Sequence, residues 1–249
     1  MKRIMLTVAY DGTNYSGWQI QPMVPTVEGV LNQVISDFLK EDIQVIGASR
    51  TDAGVHAKGA IAVFDTNSSI PGDKYSYAIN NLLPRDIRII NSKQVAEDFH
   101  PRKVNCRKTY EYCIYNDTFE LPTKRLYSYW VYGDIDVDSM NRAARILVGE
   151  HDFTSFCSAE TIVESKVRTI YDLKVTHNDK DIVVTVTGNG FLYNMVRIIA
   201  GTLLEVGRGK LAVEEIEDIL LAKDRTRAGM TVPAKGLCLV KYDFEENIE

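Results

Sequence analysis

Between two apolar stretches, the segment Gly47-Ala48-Ser49-Arg50-Thr51-Asp52-Ala53-Gly54-Val55-His56-Ala57 gathers more reactive side chains than a turn requires. A turn needs a glycine and an aspartate able to close an Asx-turn, but not Arg, Thr, Asp and His together. An arginine two residues from an aspartate can hold the carboxylate ionised and aim it, which suits a nucleophile or a general base. Asp52 is the reactive group in that reading. In the plainer alternative Asp52 closes the turn and Arg50 is a surface residue.

Two further segments are unusual. From Phe99-His100-Pro101-Arg102-Lys103 through Arg107-Lys108-Thr109-Tyr110-Glu111-Tyr112, four Lys or Arg alternate with aromatics against a single acid. That mixture suits phosphate contacts combined with base stacking, or else a solvated strand edge guarded by cations. In Gly188-Asn189-Gly190-Phe191-Leu192-Tyr193-Asn194-Met195-Val196-Arg197, a glycine turn enters an apolar helix. Arg197, flanked by Met195, Val196, Ile198 and Ile199, is costly to bury unpaired and must snorkel or meet a carboxylate.

Other chemistries lack their residues. Gly207-Arg208-Gly209-Lys210 does not have the Walker spacing, and no Gly-x-Gly-x-x-Gly follows a strand, so neither a nucleoside triphosphate nor a dinucleotide is expected. Cys106, Cys113, Cys157 and Cys238 include no pair two residues apart, which predicts reduced core thiols and neither disulfides nor zinc. The four histidines are scattered. His56 and His151 have a near carboxylate in Asp52 and Asp152, but no His-Glu-x-x-His occurs, so no metal site is expected.

The elements that must hold these segments are readable from periodicity. Ile4, Leu6, Val8 and Tyr10 alternate as a strand ended by Asp11-Gly12. From Thr26, placed as an N-cap after Pro25, Val27, Val30, Leu31, Val34, Ile35, Phe38 and Leu39 fall at helical spacing. Strands are predicted at 43–48 and 60–65, a helix at 73–83 and strand pieces over 87–99. The second half repeats the mixture: strands from 108 and at 127–132, a short helix at 140–148, and a hairpin pairing 167–177 with 182–188 through Asn178-Asp179-Lys180-Asp181. Helices at 191–206 and 213–222 and a last strand, Leu237 to Phe244, complete it. Hairpin-joined strands with helices over one sheet face predict an α+β protein: two mixed halves with largely antiparallel sheet and an active-site cleft between them. The boundary is drawn at 104, giving an N-terminal domain 1–104 that carries Asp52 and a C-terminal domain 105–249.

Taken in order, the motifs resemble the tRNA pseudouridine synthase A family over almost the whole length. The resemblance rests on Tyr10-Asp11-Gly12 with Gly17-Trp18-Gln19, on Arg50-Thr51-Asp52-Ala53-Gly54-Val55-His56-Ala57 and on Asn81-Leu82-Leu83-Pro84-Arg85-Asp86-Ile87. It continues through Phe99-His100-Pro101-Arg102, His151-Asp152-Phe153-Thr154-Ser155-Phe156, Gly188-Asn189-Gly190-Phe191-Leu192, Met195-Val196-Arg197 and Ala228-Gly229-Met230-Thr231 before Gly236-Leu237. It implies isomerisation of uridine to pseudouridine at positions 38, 39 and 40 of the tRNA anticodon stem-loop, with no cofactor and no metal. It also implies a homodimer in which one tRNA contacts both subunits.

By the same resemblance the essential aspartate is Asp52, the active-site tyrosine Tyr110, the active-site arginine Arg197, the apolar packing residue Leu237, and Arg50 the arginine that holds the flipped state. We place His56 and Arg102, from the matched motifs, with the substrate-binding residues. The chemistry agrees, because breaking and remaking one glycosidic bond with all atoms retained needs no redox or group carrier. Asp52 either attacks covalently or takes a C2′ proton to give a glycal, and both routes stay open. Ser49 stands where glycine is common, Ile198 where asparagine is frequent and Val232 where alanine is frequent, which leaves substrate range open. The competing class is a non-catalytic tRNA-binding or tRNA-folding protein. A small-molecule hydrolase built on Asp52 and His56 lacks a positioned nucleophile.

Composition sets the outer bounds. The 249 residues, 45% hydrophobic and 25% charged, have the profile of a folded globular chain and exclude disorder or fibre. The most apolar stretch, Phe191 to Val206, contains Asn194 and Arg197, so no membrane span is expected. Met1-Lys2-Arg3 leads straight into the alternating run, which predicts a mature start there and a cytoplasmic protein. The net charge of −5 looks wrong for an RNA enzyme. Yet Leu211 to Ile219 and Asp243 to Glu249 carry −4 each, so the rest of the chain is positive. The expectation is a local basic face beside Asp52, with those acids turned away from it.

Overall fold

A computed structural model describes residues 1–161 and 163–245. The chain forms two compact units, one of Met1–Cys106 together with the residues from Cys238 onward, the other of Arg107–Leu237.

In the first unit, β1 (Lys2–Tyr10) runs antiparallel to both β3 (His56–Thr66) and β4 (Ile87–Val95). Its residues Ile4, Leu6, Val8 and Tyr10 are buried, the face that the alternation predicts. Helix α1 (Val27–Leu39) begins where expected: the Thr26 hydroxyl accepts the Gly29 N–H at 3.3 Å, and Val27, Leu31 and Ile35 are buried. The strand expected at 43–48 shrinks to β2 (Ile46–Gly47) on the β3 edge. The reason is local, since the N–H groups of Ile43 and Val45 donate to Ser36 Oγ and Asn32 Oδ1 on α1 instead of to a strand. A short helix, α2 (Tyr75–Asn80), occupies part of the helical span expected at 73–83.

The second unit starts within β5 (Cys106–Asn116), which pairs in parallel with β6 (Tyr129–Val131) and antiparallel with β9 (Asp181–Gly188). The predicted hairpin joins β8 (Val167–Asn178) to β9, with Asp179 at φ 54° in the left-handed region that Asp tolerates. An unexpected four-residue strand, β7 (Gly149–Asp152), extends the sheet on β8. Helix α3 (Val137–Ile146) packs on β8 and on α4 (Met195–Gly207), and α5 (Glu215–Ala222) follows.

The C-terminal strand β10 (Leu237–Phe244) keeps its expected bounds but belongs, from Cys238, to the first unit. There it pairs in parallel with β3, Cys238 opposite His56 and Leu239 opposite Ala57. The division therefore differs from a cut at 104: it falls after Cys106 and returns the last strand to the N-terminal part. A parallel pairing across about 180 residues leaves no trace in local periodicity. Among the described residues no helix is long and apolar enough to cross a membrane.

Candidate active site

Asp52 sits, half-buried, on the loop that enters β3, and the loop's backbone is gripped on both sides of it. Before it, the Thr51 carbonyl accepts the Trp18 N–H at 3.1 Å, and the Thr51 hydroxyl bonds the Tyr10 hydroxyl at 2.7 Å. After it, the Asp52 carbonyl accepts the Val55 N–H at 3.1 Å, and the Gly54 N–H donates to the Tyr15 carbonyl at 3.3 Å. Tyr10 is buried on β1, and burial pushes its hydroxyl well above the ordinary tyrosine value, partly opposed by the bond to Thr51.

Three glycines make this closeness possible. A Cβ on Gly12 would lie 2.0 Å from the Val55 carbonyl oxygen, one on Gly17 2.5 Å from that of Thr51, and one on Gly47 2.3 Å from the Trp18 indole nitrogen. The Tyr-Asp-Gly and Gly-Trp-Gln motifs are thus the seat of the aspartate loop. Periodicity could not reveal this. The available signal was the pairing of glycines with large aromatics in short polar stretches.

The other site residues of this unit flank the same loop. Arg102, exposed, donates from Nε to the Gly47 carbonyl at 2.8 Å. Arg50 is exposed. The Ser49 hydroxyl bonds the hydroxyl of Tyr242 on β10. His56 is buried, and its Nδ1 accepts the Gly12 N–H at 3.0 Å and lies 3.2 Å from Asp11 Oδ1. One nitrogen cannot both accept the amide and donate to the carboxylate. Neutral His56 holds Gly12, and protonated His56 would face Asp11, so either state ties β3 to the Asp11-Gly12 turn. The resemblance groups His56 with substrate contacts; the geometry gives this ring nitrogen to the protein's own turn.

Tyr110, Arg197 and Leu237 belong to the second unit. Tyr110, buried on β5 opposite Val186, meets Phe191 edge to face at 5.2 Å between centroids. The turn that carries Phe191 is tight: a Cβ on Gly188 would touch the Phe191 ring at 3.1 Å, and Asn194 adopts φ 61°. That turn is why α4 starts at Met195 and not at Phe191. Arg197 donates from Nε to the Val232 carbonyl at 2.8 Å and from Nη1 to Asn194 Oδ1 at 2.7 Å. These bonds answer the cost of a cation in an apolar helix. Leu237 is buried after Gly236, where a Cβ would meet the Tyr112 ring at 2.7 Å. In the basic segment, the Arg107 guanidinium lies over the Tyr171 ring at 4.4 Å. Among the described residues no three His, Cys, Asp or Glu side chains cluster as a metal ion would require.

A family model described as tRNA pseudouridine synthase matches residues 6–102 and 143–245. The matched spans include Arg50, Asp52, His56, Arg102, Arg197 and Leu237, while Tyr110 lies between them. The chain is similar to a tRNA pseudouridine synthase A of Ruminiclostridium cellulolyticum, 52% identical over 245 residues that cover 98% of this chain and 100% of the relative. It is 51% identical over 239 residues to one of Brevibacillus brevis, covering 96% and 98% respectively. A third, of a Thermoanaerobacter species, is 46% identical over 244 residues, covering 98% and 100%.

Proposed function

The chain belongs to the tRNA pseudouridine synthase family, and we propose that it isomerises uridine to pseudouridine at positions 38, 39 and 40 of the tRNA anticodon stem-loop. The observation that carries the reading is Asp52 on a loop whose backbone is fixed immediately before and after it. Such preorganisation is what a reactive carboxylate needs and a simple turn does not.

The reaction breaks the N1–C1′ bond, turns the uracil over and joins C5 to C1′; the hydrogen on C5 leaves as a proton, and N1 takes one up. Asp52 acts as nucleophile or as base. Tyr110 stacks on the uracil, and its hydroxyl moves the C5 proton. Arg197 supplies positive charge for the carboxylate chemistry, and Leu237 packs on the substrate. Flipping the target uridine from its stack costs about a few kcal/mol. Arg50 holds the flipped state, and Arg102 contacts phosphate. No metal or cofactor takes part, and the enzyme works in the cytoplasm as a homodimer.

The test is release of tritium from C5-labelled uridine in a tRNA anticodon arm by the purified protein. Wild type is expected to release it at each target position, and Asp52→Asn to bind tRNA without release. Release by Asp52→Asn at the wild-type rate overturns the role of Asp52. Binding without turnover by wild type under every condition would instead identify a non-catalytic tRNA-binding protein.

A further inference from the structure

We propose that Tyr10 is a positioning residue for Asp52, acting through the Thr51 hydroxyl; the proposal rests on the catalytic reading of Asp52. Tyr10 and Thr51 are 5% and 8% exposed, so water cannot replace their 2.7 Å hydrogen bond if either hydroxyl is lost. Thr51 is β-branched, and holding its Oγ1 sets its χ1 and with it the backbone entering Asp52. The Trp18 N–H fixes the same residue through its carbonyl. Two directions of restraint therefore converge on the residue before the carboxylate, and only one of them is a side chain.

The element that presents Tyr10 is rigid. Strand β1 is paired on both sides, with Tyr10 opposite Ala57 and Ile87. Between Val8, opposite Ala60, and Tyr10, opposite Ala57, β3 carries one extra residue. A bulge of this kind re-aims the side chains beside it, and here they include Tyr10, directed at the loop preceding β3. A buried tyrosine hydroxyl usually finds a partner; what matters here is that the partner is Thr51, the residue that precedes Asp52.

The experiment compares Tyr10→Phe, Thr51→Val and Thr51→Ser with Ser92→Ala, which deletes a different buried hydrogen bond of the same unit, to the Ser76 N–H. Steady-state tritium release is measured with amide exchange at Gly54 and Val55 and with melting temperature. Tyr10→Phe and Thr51→Val are each expected to lower kcat about ten-fold with KM within about two-fold, and to speed exchange at both amides. Thr51→Ser, which keeps the hydroxyl, retains the wild-type kcat, and the double variant Tyr10→Phe/Thr51→Val is no slower than the slower single. Ser92→Ala loses stability with neither effect. Unchanged kcat and exchange in Tyr10→Phe, or fully additive losses in the double variant, overturn the proposal. Faster loop exchange in a protein whose wild type releases no tritium would sink the catalytic reading and leave the positioning intact.

Discussion

Gly17 lies directly against Thr51: a Cβ on Gly17 would come 2.5 Å from the Thr51 carbonyl oxygen, and Gly17 has φ 88°. Both facts act on the residue next to Asp52. Any side chain at 17 is strained by its own backbone and must also push the Asp52 loop away from the Trp18 N–H. Gly17→Ala is expected to cost about 1–3 kcal/mol in urea denaturation and to slow tritium release more than the stability loss alone explains. Wild-type stability and rate in this variant would show that the loop yields freely, against a fixed seat for Asp52.

Arg197 fixes a second segment by geometry as much as by charge. Its bond to the Val232 carbonyl ties the residue after Ala228-Gly229-Met230-Thr231 to α4, and its bond to Asn194 stays at the start of that helix. The same stretch is seated by the Gly229 N–H on the Thr202 hydroxyl at 2.9 Å and by Gly201, where a Cβ would lie 2.0 Å from the Met230 carbonyl oxygen. Lysine keeps the charge but has no planar fork to span both acceptors. Arg197→Lys is expected to lose about 1–2 kcal/mol of stability and most of its turnover while still binding tRNA in a filter assay. Full activity in Arg197→Lys would mean that charge alone suffices.

What was legible in the sequence follows the range of the interactions. Strand β10 and the Thr26 cap were readable because alternation and capping are local. The candidate site residues rest on motif order, which names them without coordinates. The start of α4 was misplaced because Phe191 and Leu192 are apolar at helical spacing, although Asn194 turns the backbone left-handed before Met195. Strand β7 was missed because Gly149 at φ 118° and three polar residues show no alternation. The contacts that seat Asp52, from Tyr10, Gly12, Gly17 and Trp18, join residues 33 to 43 apart in sequence. Residue types along the chain name the members of such a seat but not which of them touch.

Tyr110 separates packing from chemistry in one substitution. Its ring is held edge to face by Phe191, and phenylalanine at 110 keeps that contact while removing the hydroxyl. If the hydroxyl moves the C5 proton, Tyr110→Phe folds and binds tRNA normally but releases tritium about 100-fold more slowly. Phe191→Leu keeps the hydroxyl and loosens the ring, and should cost less, about five-fold. Equal rates for wild type and Tyr110→Phe would confine Tyr110 to stacking.

Buried tyrosines, Tyr10, Tyr112 and Tyr242 among them, make stability sensitive to base. Burial pushes the hydroxyls of Tyr10, Tyr112 and Tyr242 above the ordinary value of 10.0, with Arg197 partly opposing the rise at Tyr112 and the Ser49 bond opposing it at Tyr242. Above pH 10.0 the unfolded chain sheds these protons while the folded chain keeps them. The unfolded state then binds fewer protons, so the unfolding free energy falls as pH rises. The stabilisation is complete below the unfolded value and is lost on the way up to the folded one. Urea midpoints should therefore hold steady from about pH 7 to about pH 9 and drop steeply beyond about pH 10. Tyr112→Phe removes one titrating group and its 2.8 Å bond to the Pro233 carbonyl. It should start about 1 kcal/mol less stable at neutral pH and approach wild type as the pH rises. Parallel curves for the two proteins across this range would show that Tyr112 ionises as readily in the folded chain as in the unfolded one.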